Sequence, residues 1–239
     1  MSDIAVLWRL ARGMPHRGGH AERLEGFYAG QADAYDRFRE KLLHGRDELL
    51  KALPLVPGGT LIEFGCGTGR NIHAIGDRLA TLESATGIDL CPSLLHVGRR
   101  RAAELGWKNV RLIEADACTW KPDQPVDVVV FAYALTMIPD WRAALRNAIA
   151  CLRPGGTLAV VDFTVIDPAV AALGGCVPQS APVRWAWKRW FGHDGVHPDA
   201  TMLPELIAAT EPVDVHVGRG SVPYLPVTAG YLRYIGRRR

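Results

Sequence analysis

Residues 61–70 read LIEFGCGTGR: an apolar run interrupted by one acid, Glu63, then glycine at 65, 67 and 69. A short apolar run closed by glycine reads as a strand, so Thr60–Phe64 is expected to be a strand that stops in a loop of little more than backbone. Upstream, Ala32–Leu53 places apolar residues at helical spacing until Pro54 and Pro57-Gly58-Gly59 close it. Downstream, Asn71–Leu79 reads as helix and Ala85–Leu90 as a short strand that also carries an acid, Asp89. Pro92 opens a helix to Leu105, with Gly106 as its C-cap. Strands are expected at Val110–Glu114, Val126–Phe131 and Thr157–Phe163, with a helix over Asp140–Leu152 and a tight turn at Arg153-Pro-Gly-Gly156 before the last of them.

Strands alternating with helices imply an α/β fold with a parallel sheet and right-handed crossovers, and such sheets bind ligands beyond the carboxyl ends of their strands. Residues 167–204 lose periodicity and read as an insertion covering the site, and Val213–Val217 with Ala229–Ile235 reads as a final strand pair.

The chain has 239 residues, 48% of them hydrophobic, enough for one domain with a sizeable core. It lacks the run of about 18 apolar residues that a spanning helix needs. Its first residues carry Asp3 and arginines where a signal peptide would have an apolar block, so a cytoplasmic placement is expected. Cys66, Cys91, Cys118, Cys151 and Cys176 are widely spaced without a CxxC pair, which suggests reduced thiols. His193 and His197 are four apart, but Gly195 and Pro198 spoil the helix that would align them on a metal. No metal is expected.

The net charge is +3, yet after Asp214 there are five arginines (219, 233, 237, 238 and 239) and no acid. This is either a solvated tail or an attraction to an anionic surface. Trp185-Ala-Trp187-Lys188-Arg189-Trp190-Phe191 mixes indole rings with cations, as suits a water–lipid interface, or is a helix packed on the core.

Two ligand classes compete for the glycine loop. A dinucleotide fingerprint wants a small third residue, and Gly65 and Gly67 would place Arg70 there. Glu63 would repel a pyrophosphate but offers an acceptor to an ammonium, directly or through water. Asp89 can take both hydroxyls of a ribose, a feature common to both classes. Asp116, in Glu114-Ala-Asp-Ala117, adds an acceptor where an adenine amino group is expected.

In the ordered set EFGCGTG (63–69), GIDL (87–90), EADA (114–117), DVVVFAYALTMIPD (127–140) and LRPGGTLAVVDF (152–163), the chain resembles the class I S-adenosylmethionine-dependent methyltransferases. The resemblance implies a doubly wound, Rossmann-like, seven-stranded sheet with a reversed last strand. It further implies a helical lid over residues 1–55 and a cofactor-binding core over 56–239. The cofactor is then S-adenosylmethionine, held by Glu63, Gly65, Cys66, Gly67, Gly69, Asp89, Leu90, Asp116, Ala117 and Ala132.

The Tyr-Asp pair at 35 and 36 resembles the lid of the ubiquinone-biosynthesis and phospholipid N-methyltransferase branch, in which the tyrosine closes over the cofactor. YDRFRE, LLHGR and FAYALTMIPDW together look most like the N-methyltransferases of betaine-lipid synthesis, which trimethylate the amine of diacylglyceryl homoserine. That implies a lipid amine substrate at an anionic membrane surface, a separate enzyme that forms the homoserine lipid, and a position at the inner membrane face. Tyr133, Tyr28 and Tyr35 become candidates for aromatic contact with the growing cation. Arg46 becomes a candidate for the carboxylate of the cofactor or of homoserine, or else belongs to a surface salt bridge, and Tyr133 could equally be a core residue. No nucleic-acid partner is expected, because Ala132-Tyr-Ala-Leu135 stands where an Asn-Pro-Pro-Tyr type run would.

Overall fold

The computed structural model describes residue 14, residues 18–28 and residues 42–239. Seven strands form one sheet in the order β3-β2-β1-β4-β5-β7-β6: β1 (Thr60–Phe64), β2 (Ser84–Asp89), β3 (Val110–Glu114), β4 (Val126–Ala132), β5 (Leu152–Phe163), β6 (Glu211–Ser221) and β7 (Thr228–Arg237). The first five pair in parallel, while β7 runs antiparallel to both β5 and β6. This is the doubly wound sheet with a reversed last strand.

The helices are α1 (His20–Tyr28), α2 (Arg46–Ala52), α3 (Arg70–Ala74), α4 (Pro92–Glu104), α5 (Trp141–Cys151), α6 (Pro168–Gly174), α7 (Ala181–His193) and α8 (Met202–Ala209). The strands β1, β4 and β5 are almost continuously buried because helices cover both faces. One face carries Phe64 stacked on Phe131 at 5.4 Å, above α5 and α8; the other carries Leu61, Val128 and Val161 beneath α2 and α7. The five cysteines are free, with Cys66, Cys91 and Cys151 buried.

Three expectations need correction. Of the helix expected over 32–53, residues 32–41 lie outside the described residues, and the described part is helical from Arg46, after Gly45 at φ 76° in the left-handed region that interrupts helical geometry. The helix expected over 71–79 stops at Ala74 and tightens into a 3₁₀ turn over Gly76–Thr81, with Gly76 at φ 67°. The segment 167–204 contains α6, α7 and the start of α8 rather than irregular chain throughout. Among the described residues, no helix is long and apolar enough to cross a membrane.

Candidate active site

At the carboxyl end of β1 the chain turns sharply, with Gly65 at φ 72° and Gly67 at φ 52°. The amides of Gly65 and Cys66 both donate to the Ile88 carbonyl, at 2.8 and 3.1 Å, which fixes the loop against β2. A Cβ added at Gly65 would lie 2.4 Å from the Ala134 Cβ. Gly65→Ala is therefore expected to cost at least about 1–2 kcal/mol from backbone strain alone, with the clash in addition. Denaturant unfolding of the purified variant checks this, and unchanged stability would show that the loop relaxes freely.

The loop floors a cavity of about 480 Å³, within the usual range of roughly 300–1,000 Å³ for small-molecule sites. Its wall includes Tyr28, Arg46, Gly65, Cys66, Gly67, Asp89, Leu90, Asp116, Ala117, Ala132 and Tyr133 among the residues expected from sequence. Glu63 and Gly69 stand behind that wall, and Tyr35 lies outside the described residues. Sequence patterns did not point to His20 on α1, nor to Arg70, Asn71 and Met137. Of these only Asn71 had a legible signal, as a polar residue in the first turn after the glycines.

The acids are arranged by strand order. Asp89 accepts from the Gly67 amide at 2.8 Å through Oδ2 and from the Cys91 amide at 2.9 Å through Oδ1, leaving further lone pairs for a ligand. Burial raises its pKa, against the backbone hydrogen bonds that lower it. Asp116 is exposed and is braced by the Cys118 amide at 2.8 Å. Two carboxylates thus mark the β2 and β3 side of the cavity.

The β1 and β4 side is different. Arg46, at the start of α2, is only 7% exposed, and its one hydrogen bond among the described residues runs from Nε to the exposed Asp47 at 3.3 Å. Glu63 is 1% exposed; its Oε1 accepts from Asn71 Nδ2 at 2.6 Å, while Glu63 Oε2 and Asn71 Oδ1 are buried without partners among the described residues. Burial above all, with Asp89 adding to it, raises the Glu63 carboxyl to about 8, against the lowering by Asn71 and Arg46. A carboxyl raised from 4.5 to about 8 binds more protons folded than unfolded across that window, so its contribution to stability falls as pH rises through it. Glu63→Gln keeps the acceptor for Asn71 and removes this titration. Its melting temperature relative to the parent is expected to rise from pH 5 to pH 8, and a constant difference would show that Glu63 titrates normally.

Tyr133 follows β4 with φ 57°, one of two non-glycine residues in the left-handed region among those described. Its amide donates to the Val161 carbonyl at 2.7 Å and its hydroxyl to the His44 carbonyl at 2.5 Å, while its ring meets Phe163 edge-on at 4.6 Å. Burial, reinforced by Asp162, raises the phenol pKa further. Tyr133 thus lines the cavity wall with its hydroxyl held by the His44 carbonyl. Tyr28, from α1, donates to the Met137 sulfur at 3.3 Å and packs edge-on against Phe27 at 4.9 Å. Glu25 ties α1 to the start of α4, accepting from the Ser93 amide at 3.1 Å and the Cys91 thiol at 3.2 Å beside Asp89.

Residues 61–156 match the family model described as "Methyltransferase domain". Over that stretch the chain is similar to methyltransferase domains. The seven-stranded sheet with its reversed last strand shares its fold with solved methyltransferase structures. Over 147 residues the chain is 29% identical to a demethylmenaquinone methyltransferase of Listeria monocytogenes, covering 59% of this chain and 62% of that protein. Over 126 residues it is 32% identical to a trans-aconitate 2-methyltransferase of Methylobacterium radiotolerans, covering 53% of this chain and 46% of that protein. The chain thus spans less than two thirds of the length of these curated relatives. The N-methyltransferase NodS from Bradyrhizobium japonicum, solved in complex with S-adenosyl-L-homocysteine, shares the fold with a TM-score of 0.60 at 18% identity, covering 85% of this chain and 97% of that one.

The cavity suits S-adenosylmethionine on physical grounds. Among the described residues Glu63 Oε2 and Asn71 Oδ1 lack a donor, the buried Arg46 hydrogen-bonds only the exposed Asp47, and the backbone at Gly65 leaves no room for a side chain. An unpaired buried polar group is costly, so these residues call for a ligand bearing both a cation and a carboxylate.

Proposed function

We propose that this protein transfers methyl groups from S-adenosylmethionine to the amine of a small amphiphile, with the homoserine headgroup of diacylglyceryl homoserine as the preferred acceptor. The observation that carries the reading is the division of the cavity. Carboxylates at Asp89 and Asp116 stand on the β2 and β3 side, and the buried Arg46 lies beside Tyr133 and Glu63.

S-adenosylmethionine supplies an electrophilic methyl group on a sulfonium, so the reaction needs no protein nucleophile. Asp89 would hold ribose hydroxyls and Asp116 the adenine amino group. Arg46 would hold a carboxylate, and Glu63 with Asn71 would receive the ammonium. The rings of Tyr28 and Tyr133 line the same cavity and would favour an amine as it gains positive charge. Positioning of this kind is the main service an in-line transfer asks of the protein.

The experiment is transfer of labelled methyl from S-adenosylmethionine to detergent-dispersed diacylglyceryl homoserine, phosphatidylethanolamine and a demethylated quinol, with products identified by mass. A trimethylated homoserine lipid supports the proposal. Label confined to the quinol favours a second reading, carbon methylation, which rests on the likeness to demethylmenaquinone methyltransferase. Label confined to phosphatidylethanolamine keeps the amine and replaces the headgroup.

A further inference from the structure

Helix α7 is unusual for a helix in a folded protein. Only Arg184, Trp187 and Phe191, spaced by three and four residues, turn inward, while Trp185 is 70% exposed and Trp190 56%. At 100° per residue, Arg189 projects between those two indoles, with Lys188 at the edge of the same face. No acidic residue occurs from Pro168 to His193.

The surroundings extend this face. Val177, just before α7, is 75% exposed, and its carbonyl accepts from Arg219 on β6 at 2.8 Å. This sets the start of the insertion beside the β6–β7 hairpin, whose tip exposes Tyr224 (62%) and Leu225 (43%) and contains no charged residue from Ser221 to Thr228. Phe163 pairs with Tyr231, so the hairpin tip projects past the carboxyl end of β5, the end of the sheet that holds the cavity. An aromatic row joins the cavity to α7: Tyr133 to Phe163 at 4.6 Å, Phe163 to Phe191 at 4.5 Å, and Phe191 to Trp187 at 5.3 Å.

We infer that the outer face of α7, with the β6–β7 hairpin tip, is a docking surface for an anionic lipid bilayer. Indoles and a tyrosine at the rim of a cationic helix match the chemistry of the headgroup layer, where amphipathic rings partition and basic residues meet anionic lipid. A protein partner would match the apolar area equally well, but the concentration of Trp, Lys and Arg without an acid favours the bilayer. The C-terminal arginines play no part. Arg238 and Arg239 donate to the carbonyls of Leu152, Ala208 and Thr210 at the opposite end of the sheet, and Arg233 pairs with Asp214 at 3.0 Å. The expectation that the arginine tail draws the chain to a membrane therefore passes to α7.

The test is co-sedimentation of the full chain with vesicles of phosphatidylcholine alone and of phosphatidylcholine with phosphatidylglycerol, at low and high salt. Binding is expected to need the anionic lipid and to weaken in salt. It is expected to fall about tenfold or more in the double variants Trp185→Ala/Trp190→Ala and Lys188→Glu/Arg189→Glu. S-adenosylmethionine affinity, measured calorimetrically on the same preparations, is expected to be unchanged, which separates a failed surface from a failed cofactor site. Absence of vesicle binding, binding indifferent to lipid charge, or binding that survives both variants would overturn the inference. So would a self-associated protein in ultracentrifugation that Trp185→Ala/Trp190→Ala converts to monomer, because the face would then be covered by a second copy.

Discussion

Replacing Arg46 by methionine is expected to weaken S-adenosylmethionine binding by about 2–5 kcal/mol, roughly 30-fold to several thousand-fold, without lowering the stability of the ligand-free protein. The two halves have one cause. The guanidinium is 7% exposed and holds only the exposed Asp47 among the described residues, so the fold bears its desolvation for little return. Methionine fills similar volume without the charge, which relieves that cost and removes the anion's partner. Calorimetric titration with thermal unfolding of both proteins reads the two effects. Unchanged affinity would remove Arg46 from the site, and a destabilised ligand-free variant would make it a structural residue.

Asp89→Asn is expected to weaken the same binding by about 1.5–3 kcal/mol, roughly tenfold to 150-fold. The asparagine oxygen keeps one acceptor toward the amides of Gly67 or Cys91, so the loop stays in place while charged acceptance from the ribose is lost. Calorimetry with S-adenosylhomocysteine in parallel tells whether the loss belongs to the nucleoside, since both ligands should weaken alike. Equal affinity in parent and variant would sink the ribose assignment.

The sheet was legible because its signals are local. Val110–Glu114 begins and ends as its apolar run does, and the glycines at 65 and 67 take the left-handed angles that their alternation implies. Asp89 and Asp116 reach one cavity because parallel strands deliver their carboxyl ends to the same edge, so three acids at strand ends carried spatial information. Their exact orientation was less legible. Glu63 lies on a strand buried on both faces, where no alternation tells inward from outward, and it turns behind the cavity wall to meet Asn71.

What escaped depends on contacts distant in sequence. Gly45 breaks a sound helical pattern where the Tyr231 ring, on β7, approaches 2.5 Å from the place a Cβ would occupy. The arginine tail looked like a surface device by composition alone. Only the antiparallel run of β7 places it at the end of the sheet away from the site. His20 and Met137 reach the wall through the packing of α1 and of the turn after β4, and neither sits in a pattern that spacing could reveal.

Calorimetric titration of the purified chain with S-adenosylmethionine, S-adenosylhomocysteine and NAD tests the central claim most directly. The cavity described above predicts one site that takes S-adenosylmethionine, yields it to S-adenosylhomocysteine and ignores NAD. Binding of NAD in its place, or no binding of either S-adenosyl compound, would contradict it.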